Sequence, residues 1–330
     1  MSSDYGTAVA EFADFAELAN GYRRELLAHC YRMLGSYQDA EDVVQEALVR
    51  AWRGYERFDG RSSLRTWLHR IATNACLTAL ASHDRRILPS GLGGPTDSAH
   101  PDLSRLEAAP WLQPAPTAGL VDRADDPAAI IALRDSTRLA LVAAYQVLPA
   151  RPRAVLLLVD VAALSPAEVA DVLGLSVTAV RSLLQRARAA IATALPDQDR
   201  VVVPADLDTE VLRRYLAAIE SGDTGQLAGL LRADVSYEMP PIARWFKGRL
   251  AVLDHHQQRV FTRPHAARLT SANGYPALAM YTRDEAGSFR AHGIHLVEQS
   301  AGSITRIVVF LDPELFPAFG LPATLPPRPG

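Results

Sequence analysis

Hydrophobic and polar positions divide the chain into four stretches. Residues 9–85 carry apolar residues at helical spacing, hold no proline, and place glycine only at Gly21, Gly35, Gly54 and Gly60. Those are positions where helices stop or turn, so the spacing predicts helices throughout. Residues 86–128 break the pattern with seven prolines and four glycines in 43 positions, which marks a linker rather than a packed element. An apolar island, Trp111-Leu112-Gln113-Pro114, interrupts it. A solvated linker has no need of an indole, so the island is expected to dock. Helical periodicity returns over 129–195, punctuated by Pro149, Pro152 and Pro166 and closed by Pro196. After a short joint, Pro196 to Pro204, one helix (Thr209–Ser221) precedes segments of β-type composition at Val235–Met239, Ala277–Thr282, Gly293–Glu298 and Thr305–Leu311. The expected fold is multidomain: two all-α helical units, the second a helix-turn-helix, followed by an α+β domain over 205–322.

Within the first unit two helices carry opposite charge. Asp39, Glu41, Asp42 and Glu46 precede the first base, Arg50, in a helix running to Trp52. Acids near a helix start favour the positive end of its dipole, so a stable solvated start is one reading. An acidic docking face for a basic partner is the other. From Arg61 to Arg86 five arginines stand against one acid, Asp84. Leu64, Leu68, Ile71 and Ala75 fall within about 60° on a helical wheel and are expected to be buried. Trp67, Arg70 and Asn74 share one flank. An aromatic to stack, a guanidinium for phosphate and an amide for a base edge suit single-stranded nucleic acid. A core-edge Trp beside a solvated Arg is the plainer alternative.

The third stretch is more specific. Ser165 can cap a short helix with Pro166 at its first position, Gly174 supplies a tight turn, and Ser176 can cap a helix from Val177 to about Ala194. Short helix, glycine turn and longer helix make a helix-turn-helix. In the last helix Val180, Leu184, Ala187 and Ile191 fall on one side. Thr178, Ser182, Gln185 and Arg186 point away, flanked by Arg181 and Arg188, with no acid between. Short hydroxyl and amide side chains with arginine are what major-groove reading requires.

Composition narrows the class. The chain has 330 residues, 48% hydrophobic and 22% charged, a globular balance long enough for two or three domains. The net charge of -3 means that any contact with nucleic acid must come from local patches. Asp160 splits the longest apolar run, Ala154 to Leu164, so no membrane span is expected. The acidic start, Met1 to Glu17, disfavours a secretory signal, and the two cysteines, Cys30 and Cys76, read as reduced thiols of a cytoplasmic protein. Neither a metal site nor a cofactor is expected.

Tyr31-Arg-Met-Leu-Gly35, Asp39-Ala-Glu-Asp-Val-Val-Gln-Glu46, Phe58-Asp-Gly60 and Leu64-Arg-Thr-Trp-Leu-His-Arg-Ile-Ala-Thr-Asn74 together resemble region two of bacterial RNA polymerase sigma factors. Leu148-Pro-Ala-Arg-Pro-Arg153 and Ser165 through Arg188 resemble region four. With no room for other sigma regions, the chain is similar to the compact extracytoplasmic-function group. The resemblance implies that Asp39, Glu41, Asp42, Gln45 and Glu46 dock on the clamp helices of the largest subunit of core RNA polymerase. It also implies contact with the polymerase flap region. Phe58, Arg61, Arg65, Trp67, Arg70 and Asn74 would meet the minus-ten promoter element, and Thr178, Arg181, Ser182, Gln185, Arg186 and Arg188 the minus-thirty-five element. Such a protein makes and breaks no bond itself.

The last domain, with Trp245-Phe-Lys-Gly-Arg249 between its helices and strands, resembles the cone-shaped polyketide-cyclase and NTF2-like superfamily. Phe310-Leu-Asp-Pro-Glu-Leu-Phe316 resembles the tail of the sigma factors that carry such an extension. This fold can host a small ligand or an acid–base site. The candidates are Tyr237, Trp245, His255, Tyr281, His292 and Asp312, with His256 and His295 beside them. His292 and His295 should fall on opposite strand faces unless a bulge intervenes. The expectation is a domain that modulates the helical units in cis. Two alternatives stay open: a one-component helix-turn-helix regulator with a ligand domain, and a cyclase- or isomerase-type enzyme fused to a DNA-binding module.

Overall fold

A computed structural model of the chain describes residues 15–82, 85–96, 101–120, 136–195 and 209–326. The expected joint from Pro196 to Pro204 and the end of the linker, 121–128, lie outside the described residues. The chain forms two compact units, one of residues 1–86 with 118–198 and one of residues 87–117 with 199–330. Each is taken in turn.

The first unit is helical. Helix α1, Arg23–Leu34, stops at Gly35, whose φ of 71° places it in the left-handed region that glycine tolerates, with its N–H bonded back to Tyr31 O. Ser36 caps α2, Tyr37–Gly54, and Ser63 caps α3, Leu64–Leu80, each accepting from a backbone N–H three residues on. Helix α4 is Leu139–Tyr145, and α5, Ala150–Leu156, continues as a wider π turn through Val161. Helix α6, Pro166–Leu173, opens with a complete capping box between Ser165 and Glu168 and closes at Gly174, φ 63°. Helix α7, Val177–Ala194, is capped by Ser176 and buries Val180, Leu184, Ala187 and Ile191, the four positions its periodicity singles out.

Helix α3 departs from its expected stripe. Leu68, Ala72, Ala75 and Cys76 are buried together with Thr66, His69 and Thr73, whereas Leu64 and Ile71 are half-buried. The reason is polar. His29 bonds to the Thr73 hydroxyl at 2.9 Å and His69 to Glu25 at 2.9 Å, so these side chains occupy core positions with partners in place. Apolar periodicity cannot see them.

The two helical regions, 15–86 and 136–195, pack together through hydrogen bonds as well as apolar contacts. The Arg32 guanidinium donates to the Ser136 hydroxyl at 2.7 Å. Arg65 donates to Ala162 O at 2.8 Å, and the Thr66 hydroxyl to Glu168 Oε1 at 3.2 Å. Arg153, buried on α5, donates to Met33 O across the interface and to Gln146 Oε1 (2.6 Å) and Leu148 O (2.8 Å) on its own side. Burial lowers the Arg153 pKa to about 10, which leaves it fully charged at neutral pH.

The second unit is α+β, as expected. Helices α8, Thr209–Ser221, and α9, Thr224–Leu230, precede strands β1, Leu231–Glu238, and β2, Trp245–Lys247. Helix α10, Arg249–His255, leads into β3, His265–Ala272, β4, Tyr275–Arg283, β5, Phe289–Ser300, and β6, Ser303–Phe310, and a short β7, Thr324–Leu325, closes the order. The sheet runs β2-β1-β6-β5-β4-β3 with β7 beside β5; β1 and β6 are parallel and the other pairs antiparallel. The sequence signals four of the seven strands. It misses β3, whose exposed positions, such as Leu269, do not alternate cleanly, and the very short β2 and β7.

Where the sequence predicts a linker over 86–128, residues 87–117 form a strap packed against this sheet. Ile87 and Trp111 make a parallel bridge, and the Trp111 indole donates to Leu106 O at 2.8 Å. Leu106 N donates to Pro241 O and Thr96 N to Trp245 O, both at 2.8 Å. Ala115 and Asn273 exchange two bonds at 2.9–3.0 Å, and Leu112 and Ala115 are buried. Prolines that cannot join a ladder still leave their carbonyls free to accept, which is how a proline-rich segment packs without becoming a strand.

Arg153→Leu leaves several buried carbonyl acceptors unpaired and is expected to cost about 3 kcal/mol, a fall of roughly 6–12 °C in the melting temperature of a unit this size. Thermal unfolding followed by circular dichroism checks it.

Candidate functional site

The acidic helix α2 presents Asp42, Gln45 and Glu46 on its exposed face. Asp39 is half-buried and paired with Arg86. Glu41 accepts from the Tyr37 hydroxyl at 3.3 Å and faces Arg23 at 3.7 Å, and Glu46 pairs with Arg50 one turn on at 2.6 Å. Asp42 has no ion pair among the described residues. Exposed pairs of this kind contribute only ~0.2–1 kcal/mol each and exchange readily for a partner's charge.

The other flank of this region is aromatic and basic. Phe58 lies 5.0 Å from Trp67 ring to ring and stacks with Tyr55 at 6.5 Å. Phe58 and Trp67 are half-buried, while Arg61, Arg70 and Asn74 are exposed. The patch therefore offers ring surface next to a guanidinium and an amide. Arg65 is placed differently. It is turned toward Glu25 and Ala162 O, inside the interface between the two helical regions. Burial pushes the Glu25 carboxyl up, but hydrogen bonds from His69 and Arg65 outweigh it and hold the pKa at about 2.

On α7 all six expected residues, Thr178, Arg181, Ser182, Gln185, Arg186 and Arg188, are exposed. Thr178, Arg181, Ser182 and Gln185 recur at helical spacing and share one face. Arg188 stands apart in making a bidentate pair with Asp160, at 3.0 and 2.5 Å.

The second unit holds a cavity of about 330 Å³. Of the residues expected there, Tyr237, His255 and His292 line it, joined by His295. His292 and His295 share a face because β5 carries a bulge: Met280 pairs with Gly293 and Tyr281 with Ala291, so His292 is the extra residue. Gly293 is required beside it, since a Cβ there would sit 2.6 Å from Phe310 O. Trp245, Tyr281 and Asp312 do not line the cavity. The Trp245 indole donates to Gly93 O of the strap, the Tyr281 hydroxyl donates to Pro322 O, and Asp312 caps the turn Pro313–Phe319. His256 is fully buried and donates its Nδ1 proton to Val252 O. Among the described residues no three His, Cys, Asp or Glu side chains gather as a metal site.

Comparison with known proteins shows the family. Residues 18–86 match the family model for sigma-70 region 2 and residues 138–191 the model for sigma-70 region 4. The ECF RNA polymerase sigma factor SigG of Mycobacterium tuberculosis is 49% identical over 318 residues, covering 94% of this chain and 85% of that protein. The chain belongs to the extracytoplasmic-function sigma factors. SigJ of the same organism is 32% identical over 218 residues, 65% of this chain and 61% of that protein. The crystal structure of SigJ superposes with a TM-score of 0.59 at 24% identity, covering 93% of this chain and 99% of that one, which carries the likeness in fold through the C-terminal domain.

The protein is thus a transcription initiation factor that has a helical polymerase- and DNA-binding unit and an α+β extension. No helix among its described residues is long and apolar enough to cross a membrane. Sequence reasoning missed three groups. The Glu25–Arg65–His69 cluster joins residues 40 or more positions apart, beyond any local pattern. The strap contacts come from a segment whose composition reads as linker. Arg259, Arg263 and His265 at the cavity belong to elements the sequence does not signal. A run of three bases within seven residues, Arg259 to His265, is the one cue that was available.

Because the Glu25 pKa is lower in the folded state, its contribution is present above about 4.5, the ordinary value, and is lost as pH falls toward 2. Melting temperatures of the wild type and Glu25→Gln are therefore expected to differ near pH 7 and to converge as the pH approaches 2; a pH series of thermal melts checks it.

Proposed function

We propose that the exposed acidic face of α2, with Asp42, Gln45 and Glu46 at its centre and Asp39 and Glu41 at its edge, docks on the clamp helices of the polymerase largest subunit. The aromatic patch around Phe58 and Trp67, with Arg61, Arg70 and Asn74, takes unpaired bases of the minus-ten element. Stacking of a base on such a ring contributes ~1–3 kcal/mol. That offsets part of the cost of opening the duplex, ~1.4 kcal/mol per step. Thr178, Arg181, Ser182, Gln185 and Arg186 read the minus-thirty-five element in the major groove, with region four seated near the polymerase flap. Arg65 and Arg188 join the DNA-contacting set once their internal partners release them.

The observation that carries this reading is the pair of exposed, acid-free reading faces on α3 and α7 within one chain. A compact body of this size has a radius of gyration of about 15 Å. Elements centred about 25 base pairs apart are separated by roughly 85 Å of duplex. Both faces cannot be engaged while the helical regions stay packed, so the closed arrangement is the free form. Its interface includes the Arg32, Arg65, Thr66 and Arg153 hydrogen bonds, whose donors and acceptors water can satisfy when the regions part. Polymerase and promoter together present both sites on one scaffold, and tethering two modest contacts yields avidity.

The C-terminal domain modulates this step in cis by holding the strap, which is the covalent connection between regions two and four. The chain itself performs no reaction and works in the cytoplasm, where polymerase is. Four imidazoles around a cavity give the enzyme alternative its one supporting observation, but the lining includes no carboxylate to orient them.

In vitro transcription with core polymerase tests these roles together. Arg181→Ala and Arg186→Ala are each expected to weaken promoter binding by ~1–3 kcal/mol without loss of polymerase binding. Asp42→Lys with Glu46→Lys is expected to abolish polymerase binding and leave folding intact. Asn273→Ala, which removes a strap contact, is expected to change transcript yield. Unchanged yield in that variant would remove the cis-modulation reading.

A further inference from the structure

We propose that the cavity of the C-terminal domain binds a small organic acid, a monocarboxylate whose body is one or two apolar rings. The proposal deepens the cis-modulation reading and rests on it. A volume of about 330 Å³ lies at the lower end of ligand-sized pockets and has room for roughly 10–15 non-hydrogen atoms. Its interior is mostly apolar, with Met239, Met280 and Val309 buried in the walls.

The polar groups are sorted by depth. Arg259 and Arg263 are exposed on the segment between α10 and β3 and line the mouth. Neither has an ion pair among the described residues, and no Asp or Glu lines the cavity. Glu220 on α8 acts on His265 from outside the lining, and Arg105 of the strap acts on His292. Farther in, His255 and His292 have their pKa lowered to about 4, first by burial and then by neighbouring arginine and histidine charge. His295 is lowered well below its usual value for the same leading reason, and its Nδ1 lies 3.1 Å from the Tyr215 hydroxyl. These imidazoles are neutral at pH 7, each with one donor and one acceptor.

A fixed cationic mouth over a neutral, largely apolar interior selects by charge and by orientation. A cation is repelled at the entrance. A carboxylate pays a smaller desolvation penalty if it stays at the half-solvated mouth, where two guanidinium groups can meet it. The apolar body then fills the interior, and a ring hydroxyl or carbonyl finds the imidazoles. Leu103 of the strap forms part of the same wall, so an occupant touches the segment that links regions two and four.

Calorimetric titration of the full-length protein with 2-naphthoic acid and with 2-naphthylmethanol, which keeps the ring system and lacks the charge, tests the site. The acid is expected to bind at least about tenfold more tightly than the alcohol. Arg259→Gln with Arg263→Gln, both at exposed positions outside the core, should erase that preference while leaving the alcohol's affinity unchanged. Equal affinity for both probes, acid binding unaltered in the double variant, or no binding of either at millimolar concentration overturns the proposal. Protein that starts transcripts with core polymerase yet ignores both probes overturns the pocket and leaves the sigma-factor reading standing.

Discussion

A guanidinium taken out of water needs acceptors, and Arg153 finds one of them across a domain boundary. Its bond to Met33 O fixes the start of region four against the end of α1, while Gln146 and Leu148 hold it from behind. Other hydrogen bonds between the two helical regions, from Arg32, Arg65, Thr66 and Gln146, repeat this arrangement: a polar side chain from one region satisfied by the other. Such an interface is specific when closed and tolerable when open, because water can replace each partner. The proposed function asks for that reversibility, since on that reading two promoter elements are met far apart by modules that pack together in the structure.

The same chemistry places the outward faces of the helices. Helices α2, α3, α6 and α7 are each started by a serine whose hydroxyl accepts a backbone N–H, and each puts its apolar stripe inward. What remains outward on α7 is hydroxyl, amide and guanidinium, without carboxylates. Arg65 on α3 and Arg188 on α7 are engaged within the helical unit, one pairing with Glu25 and the other with Asp160.

Much of this was legible in the sequence where a signal is local. The capping serines, Gly174 and the Val180–Ile191 stripe fixed the helix-turn-helix boundaries, and Thr209–Ser221 matches its helix end to end. Legibility ended where the deciding partner lies far along the chain. Thr66, His69 and Thr73 look like surface residues until Glu168, Glu25 and His29 are placed beside them. Residues 87–117 look like linker because proline and glycine carry no periodicity, although their carbonyls and N–H groups dock well. In the cavity, alternation puts His292 and His295 on opposite faces, and one bulge residue beside Gly293 brings them together. Trp245, Tyr281 and Asp312 have the chemistry of pocket residues but are engaged by the strap, the tail and a turn.

On the proposed reading, the two helical regions form a closed pair of modules that opens on the polymerase. Labels at Thr78→Cys and Thr193→Cys, both exposed, allow the separation of regions two and four to be measured by double electron–electron resonance in full-length protein. A single short distance in the free chain, replaced by a much longer one in complexes that are making RNA, is the predicted result. An unchanged short distance in complexes that make RNA would contradict it.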